Sequence, residues 1–168
     1  HEDPLLDKGW IAITDFYVRQ KKFEKALYFV NKALNIDNQN RFYWKRFASI
    51  NKALNLFEEA EFGYRKAVEF GDYQLDTWLF WVDILQFLGE FESAIHTLLQ
   101  ASEYFPEEYE IEYRLAGLYF MIHDDSKAKF HLSNGLRLNF KNKTILEELF
   151  PVVWARKMVQ NAINKCSK

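Results

Sequence analysis

Apolar residues return along this chain at helical spacing, and the pattern itself returns every 34 residues from Asp7 onward. In each block, positions 4, 7, 8 and 11 share one face of a first helix, and positions 20, 24, 27 and 28 share one face of a second. Position 4 is Trp10, Trp44 and Trp78 in three blocks, and position 7 is Ile13, Phe47, Trp81 and Leu115. Position 8 is fairly small: Thr14, Ala48, Val82 and Ala116. Position 20 is always alanine (Ala26, Ala60, Ala94, Ala128), and position 27 is Ala33, Ala67, Ala101 and Gly135. Position 24 is large: Val30, Tyr64, Leu98 and Leu132. The blocks 7–40, 41–74, 75–108 and 109–142 follow one another without insertion. They predict four helix hairpins, in which small residues let the axes approach and large ones fill the remaining space.

The punctuation agrees with that reading. Gly89-Glu90 falls between the two helices of the third block, and Gly71-Asp72 and Pro106 follow second helices. Asp125-Ser126 is expected to cap the second helix of the fourth block. Pro4 stands where the closing proline of an earlier block would stand. Residues 1–6 therefore read as the stump of a preceding repeat, in a fragment of a longer array; a plain helix-start proline is the alternative. After residue 142 a fifth block starts in register with Leu146, Leu149, Val153 and Ala162, but Pro151 interrupts it. Residues 143–168 are expected as a kinked C-terminal capping helix begun by Thr144. Lys157, Gln160, Asn161, Asn164 and Lys165 would form its wet outer face.

Composition narrows the function. The 168 residues carry 22 Lys+Arg against 24 Asp+Glu, a formal charge of -2. That excludes a generally basic nucleic-acid surface. Hydrophobic residues make up 49%, which excludes an acidic disordered chain. Six glycines and three prolines are too few for the frequent turns of a β sandwich. The single cysteine, Cys166, permits no internal disulfide and no paired-thiol metal site. A lone thiol, no signal segment and no apolar run of ~20 residues give a cytoplasmic location and no membrane partner as expectations.

Catalytic chemistry finds little support. The sequence has no nucleophile elbow, zinc-protease motif, glycine-rich phosphate loop or dinucleotide fingerprint. His123-Asp124-Asp125 resembles a metal-ligand cluster but falls in the predicted turn of the fourth hairpin, where polar residues belong. Cys166 is the third residue from the end with no histidine near in sequence, and reads as a surface thiol. No cofactor, metal or catalytic residue is expected.

Taken together, Trp10, Tyr17, Ala26 and Ala33 in the first block, Trp78, Ala94, Ala101 and Pro106 in the third, and Leu115, Ala116, Tyr119 and Ala128 in the fourth resemble the tetratricopeptide repeat (TPR) family. The fourth block departs from its pattern with Glu112 at position 4. The resemblance implies an all-α, right-handed superhelical solenoid of four helix hairpins plus the capping helix. It implies a non-catalytic scaffold that binds a partner segment in a concave groove lined by the first helices. Carried over position by position, the groove residues are Lys45, Arg46, Ser49, Lys52, Leu79, Phe80, Asp83, Phe87, Tyr113, Arg114, Phe120 and Met121. A basic zone there adjoins an apolar and aromatic one, so the expected partner is a protein or peptide segment with apolar anchors and some acidic character, not a nucleic acid. A purely structural segment of a longer solenoid and an RNA-binding helical repeat are the alternatives. One subclass of the family clamps a chaperone's C-terminal carboxylate. Of the residues it requires, only Lys45 and Arg114 have counterparts here, and Glu110 would repel the ligand. Weak self-association through Leu5, Leu6, Trp10 and Phe16 is a further expectation if an upstream repeat is missing.

Overall fold

The small and large positions of each block specify helices that pack in pairs, and the computed structural model, which describes residues 6–168, is helical wherever it is regular. The helices are α1 (Leu6–Arg19), α2 (Phe23–Ile36), α3 (Arg41–Ala53), α4 (Phe57–Glu69), α5 (Leu75–Phe87), α6 (Phe91–Tyr104), α7 (Tyr109–Met121) and α8 (Asp125–Leu138). A 3-10 turn (Phe140–Thr144), α9 (Ile145–Leu149), α10 (Pro151–Trp154) and α11 (Lys157–Cys166) follow. The proposed stump lies outside the described residues except for Leu6, which opens α1. The chain divides into two compact units, one ending at Leu88 and the other starting at Gly89.

In the first unit, α1 pairs with α2 and α3 with α4, and α3 and α5 each pack on the helix before them. The alanines at position 20, Ala26 and Ala60, and at position 27, Ala33 and Ala67, are wholly buried, as are Thr14 and Ala48 at position 8. Around them pack Ile11, Val30, Tyr43 and Ile50, with Trp10, Trp44 and Phe47 partly buried at the edge. Ala48, Ala60, Tyr64 and Ile84 form a second cluster with Phe57 and Trp81. Gly63 supplies a close approach: a Cβ there would lie 2.8 Å from the Ala48 methyl and the Phe47 ring. Polar ties join neighbouring helices. The Tyr43 hydroxyl donates to Asp7 at 2.6 Å, and Trp81 Nε1 donates to Glu61 at 3.1 Å.

Position 15 carries a left-handed residue in every block: Lys21, Asn55, Gly89 and His123, with φ of 58°, 60°, 78° and 64°. The amide three residues past the helix reaches back to position 11, as in Lys22 to Tyr17, Leu56 to Asn51 and Asp124 to Tyr119, each at 2.9 Å. In the same three blocks the left-handed residue's own amide bonds position 12, as in Lys21 to Val18, Asn55 to Lys52 and His123 to Phe120. These are paired C-terminal hydrogen bonds of the Schellman type, which close a helix on one left-handed residue. His123 is therefore a turn residue.

In the second unit, α6 packs on α7 and α7 pairs with α8. Ile111, Leu115, Leu118, Leu132 and Leu146 are fully buried. Tyr113 lies against Gly135, where a Cβ would come within 2.9 Å of its ring. The Phe150 ring sits on Gly117, where a Cβ would overlap it outright. Asp124, not Asp125-Ser126, caps α8, accepting from the Lys127 amide at 3.2 Å. The left-handed turn places the chain one residue earlier than the sequence pattern suggests, and Asp125 pairs instead with Arg156 at 3.2 Å. Thr144 stands at the start of α9 without a side-chain cap. At Phe150 the backbone leaves the helix (φ -137°, ψ 64°), and Pro151 opens α10. The segment beyond residue 142 thus runs as α9, α10 and α11 in turn.

Candidate functional site

Eight of the twelve groove residues fall in the first unit, on α3 and α5. At one end of this face the cations are already paired. Lys45 Nζ lies 3.0 and 3.1 Å from the Asp76 carboxylate oxygens. Arg46 grips Asp15 with two bonds, Nε at 2.8 Å and a terminal nitrogen at 3.2 Å. Each pair joins one first helix to the next, α1 to α3 and α3 to α5. Such half-exposed pairs add little stability, but they offset the positive charge that a partner would meet.

Further along, the face is aromatic. Lys52 Nζ stands 5.5 Å from the Phe80 ring centre, and Phe80 packs beside Tyr64 at 5.9 Å. Phe87 is 68% exposed and leans on Phe57, with ring centres 4.2 Å apart. Ser49 is exposed between the two zones, Asp83 is half-buried, and Leu79 is buried beneath the face. Burial, followed by the Asp83 and Asp76 carboxylates, pushes the Tyr64 phenol up to about 12. Burial and the bond to Asp7 do the same for Tyr43, also to about 12.

The other four residues lie on α7 of the second unit. Met121 is 36% exposed, but Tyr113, Arg114 and Phe120 are buried. The Tyr113 hydroxyl donates to the Asn139 carbonyl at 2.7 Å. The Arg156 guanidinium covers the Phe120 ring at 4.9 Å. On α7, then, three side chains of this set serve packing, and Met121 is the one open to solvent.

Sequence reasoning missed Asp15 and Asp76 as the partners of the basic zone, and Phe57 as the support of Phe87. Asp15 and Asp76 occupy groove positions themselves, each 31 residues from its partner, and that recurring interval is the signal that could have found them. Among the described residues no group of three His, Cys, Asp or Glu could hold a metal ion, and no helix is long and apolar enough to cross a membrane.

No family model and no curated protein sequence matches the chain. Solved structures do. A crystal structure of MamA protein superposes with a TM-score of 0.77 at 15% identity, covering 98% of this chain and 91% of that one. YrrB, described as a TPR protein with an unusual peptide-binding site, gives 0.70 at 16%, covering 94% and 82%. PilF of Pseudomonas aeruginosa gives 0.68 at 20%, covering 95% and 72%. The chain has the all-α fold of tetratricopeptide-repeat solenoids.

Proposed function

We propose that the chain is a non-catalytic interaction scaffold, holding a segment of a partner protein against the face that α3 and α5 share. The observation that carries this is Phe87, a large ring left 68% exposed and braced by Phe57, with Phe80 and its overlying Lys52 on the same face. Aromatic side chains that are held in place and exposed lose little freedom on binding and supply most of the contact area when desolvated. The partner segment is extended or helical, with apolar anchors for Phe80 and Phe87. Because Asp76 and Asp15 already neutralise Lys45 and Arg46, Lys52 is the cation that meets an acidic residue of the partner. The likeness to YrrB, a TPR protein with an unusual peptide-binding site, supports a peptide-like ligand.

The test is capture of a partner from the native source by the full chain. Phe80→Ala with Phe87→Ala is compared with Phe130→Ala, which removes a 62% exposed ring elsewhere. Wild type and Phe130→Ala should retain the same partner and the double variant should lose it, with melting temperatures alike. Retention by the double variant would place the site on another surface. Phe120 is unsuitable for this experiment, since it is 2% exposed and its removal would unpack the second unit.

A further inference from the structure

The second unit carries a cleft that the α3–α5 face does not involve. It measures about 530 Å³ and opens between α8 and α11, lined by Leu132, Leu136, Met158 and Ala162 with polar rims. Its origin lies in the break at Phe150-Pro151. In the first unit, the helix following α2 or α4 packs along it and closes that flank. After α8 the chain instead lays α9 and α10 on α7, and α8 meets the 3-10 turn at its end and α11 at its side.

The walls have a definite pattern. On α8 the lining residues are 129, 132, 133 and 136, and on α11 they are 158, 161, 162, 165 and 166. Both follow the one-face spacing of an α-helix. The two helices run the same way. Arg156, just before α11, pairs with Asp125 at the start of α8 at 3.2 Å, and Leu136 and Cys166, near the two far ends, line the same cleft. Lys129 therefore stands at one end of the cleft and Lys165 at the opposite end of the other wall, two helical turns or about 10 Å further on. No carboxylate lines the cleft, and neither lysine has an ion pair among the described residues.

We infer that this cleft receives an amphipathic helix of a partner protein, apolar along about two turns and acidic at both ends. Ridges on a third helix would meet both walls at matching spacing, and a carboxylate near each end would meet a free ammonium. A strand's two-residue period does not match these walls. A lone alkyl anion would satisfy only one lysine. A second copy docked symmetrically would set lysine against lysine.

The chain's two methionines make the test selective, because Met158 lines the cleft and Met121 lies on α7. The full chain, with labelled methionine methyls, is titrated with capped alanine-rich helical peptides of about 15 residues. One carries leucines at i, i+3 and i+7 between two glutamates. A second has lysines for the glutamates, and a third has serines for the leucines. The glutamate peptide should move the Met158 signal saturably, leave Met121 unmoved, and bind about tenfold more tightly than the lysine peptide. Lys129→Glu with Lys165→Glu should reverse that order, and Ser133→Trp, on the exposed wall, should block binding. Equal binding of the first two peptides, equal binding by the serine peptide, or a shift at Met121 would each overturn the inference. So would a Met158 shift that appears on concentrating the chain alone, which would assign the cleft to a second copy.

Discussion

At the scale of single residues, two glycines show how a helix position is decided by what its side chain would touch. Gly9 lies in α1 with nothing within 4 Å of where a Cβ would stand. Gly117 lies in α7 under the buried Phe150 ring. Alanine in a helix interior is worth roughly 0.5–1 kcal/mol over glycine. Gly9→Ala should therefore raise stability by about that amount. Gly117→Ala gains the same but must displace a packed ring, an overpacking cost of about 1–3 kcal/mol, so it should be destabilising on balance. Adding Phe150→Leu should cost less in the Gly117→Ala background than in the wild type. Denaturant midpoints of the four variants check this, and additive effects would show that the ring and the glycine are not in contact. The alanines at positions 20 and 27 were legible in the sequence because their partners recur with the same period. Gly117 was not, because its partner stands in the irregular C-terminal segment. The buried state of Tyr113 and Phe120 was hidden for a related reason: their cover, Asn139 and Arg156, comes from beyond the regular helices of the repeat.

At the scale of elements, the two helices of the second hairpin begin differently. The first helix of a hairpin follows an open connection and takes a side-chain cap where one is available. Asn40 does this for α3, accepting from the Phe42 and Tyr43 amides at 3.0 and 3.2 Å. Asn40→Ala should cost about 1 kcal/mol, read as a lowered thermal or denaturant midpoint. An unchanged midpoint would mean that water replaces the cap without loss. Of the second helices, α2, α4 and α6 have Lys22, Leu56 and Glu90 at the cap position without a side-chain bond, whereas Asp124 caps α8. In α2 and α4 the same residue closes the turn through its backbone, so its side chain is free to vary. In the sequence Gly89 announced its turn by its glycine and His123 by its polar neighbours, whereas Lys21 and Asn55 adopt the same left-handed backbone unannounced. The tight hydrogen-bonded turn holds Lys21 in a conformation that asparagine and histidine adopt more readily.

At the scale of the whole molecule, three phenols tie stability to alkaline pH. Tyr43, Tyr64 and Tyr113 are each held up at about 12, chiefly by burial. An unfolded tyrosine ionises near 10. The folded chain thus keeps protons that the unfolded chain would release. Their contribution is complete below about pH 10 and is lost as pH rises through about 12. Denaturant midpoints measured across that interval should fall, and Tyr64→Phe should fall less steeply than wild type. Parallel curves would show that the Tyr64 phenol ionises equally in both states.

The turns at position 15 have one more consequence for the molecule. A protease must draw several residues of backbone into an extended form before it cuts. The links 20–22, 54–56 and 122–124 are three residues long and held at both ends by paired hydrogen bonds. They offer no slack, even though Lys21 lies exposed in one of them. Digestion must wait for a hairpin to open, so the rate of nicking is a direct gauge of how often each hairpin comes apart.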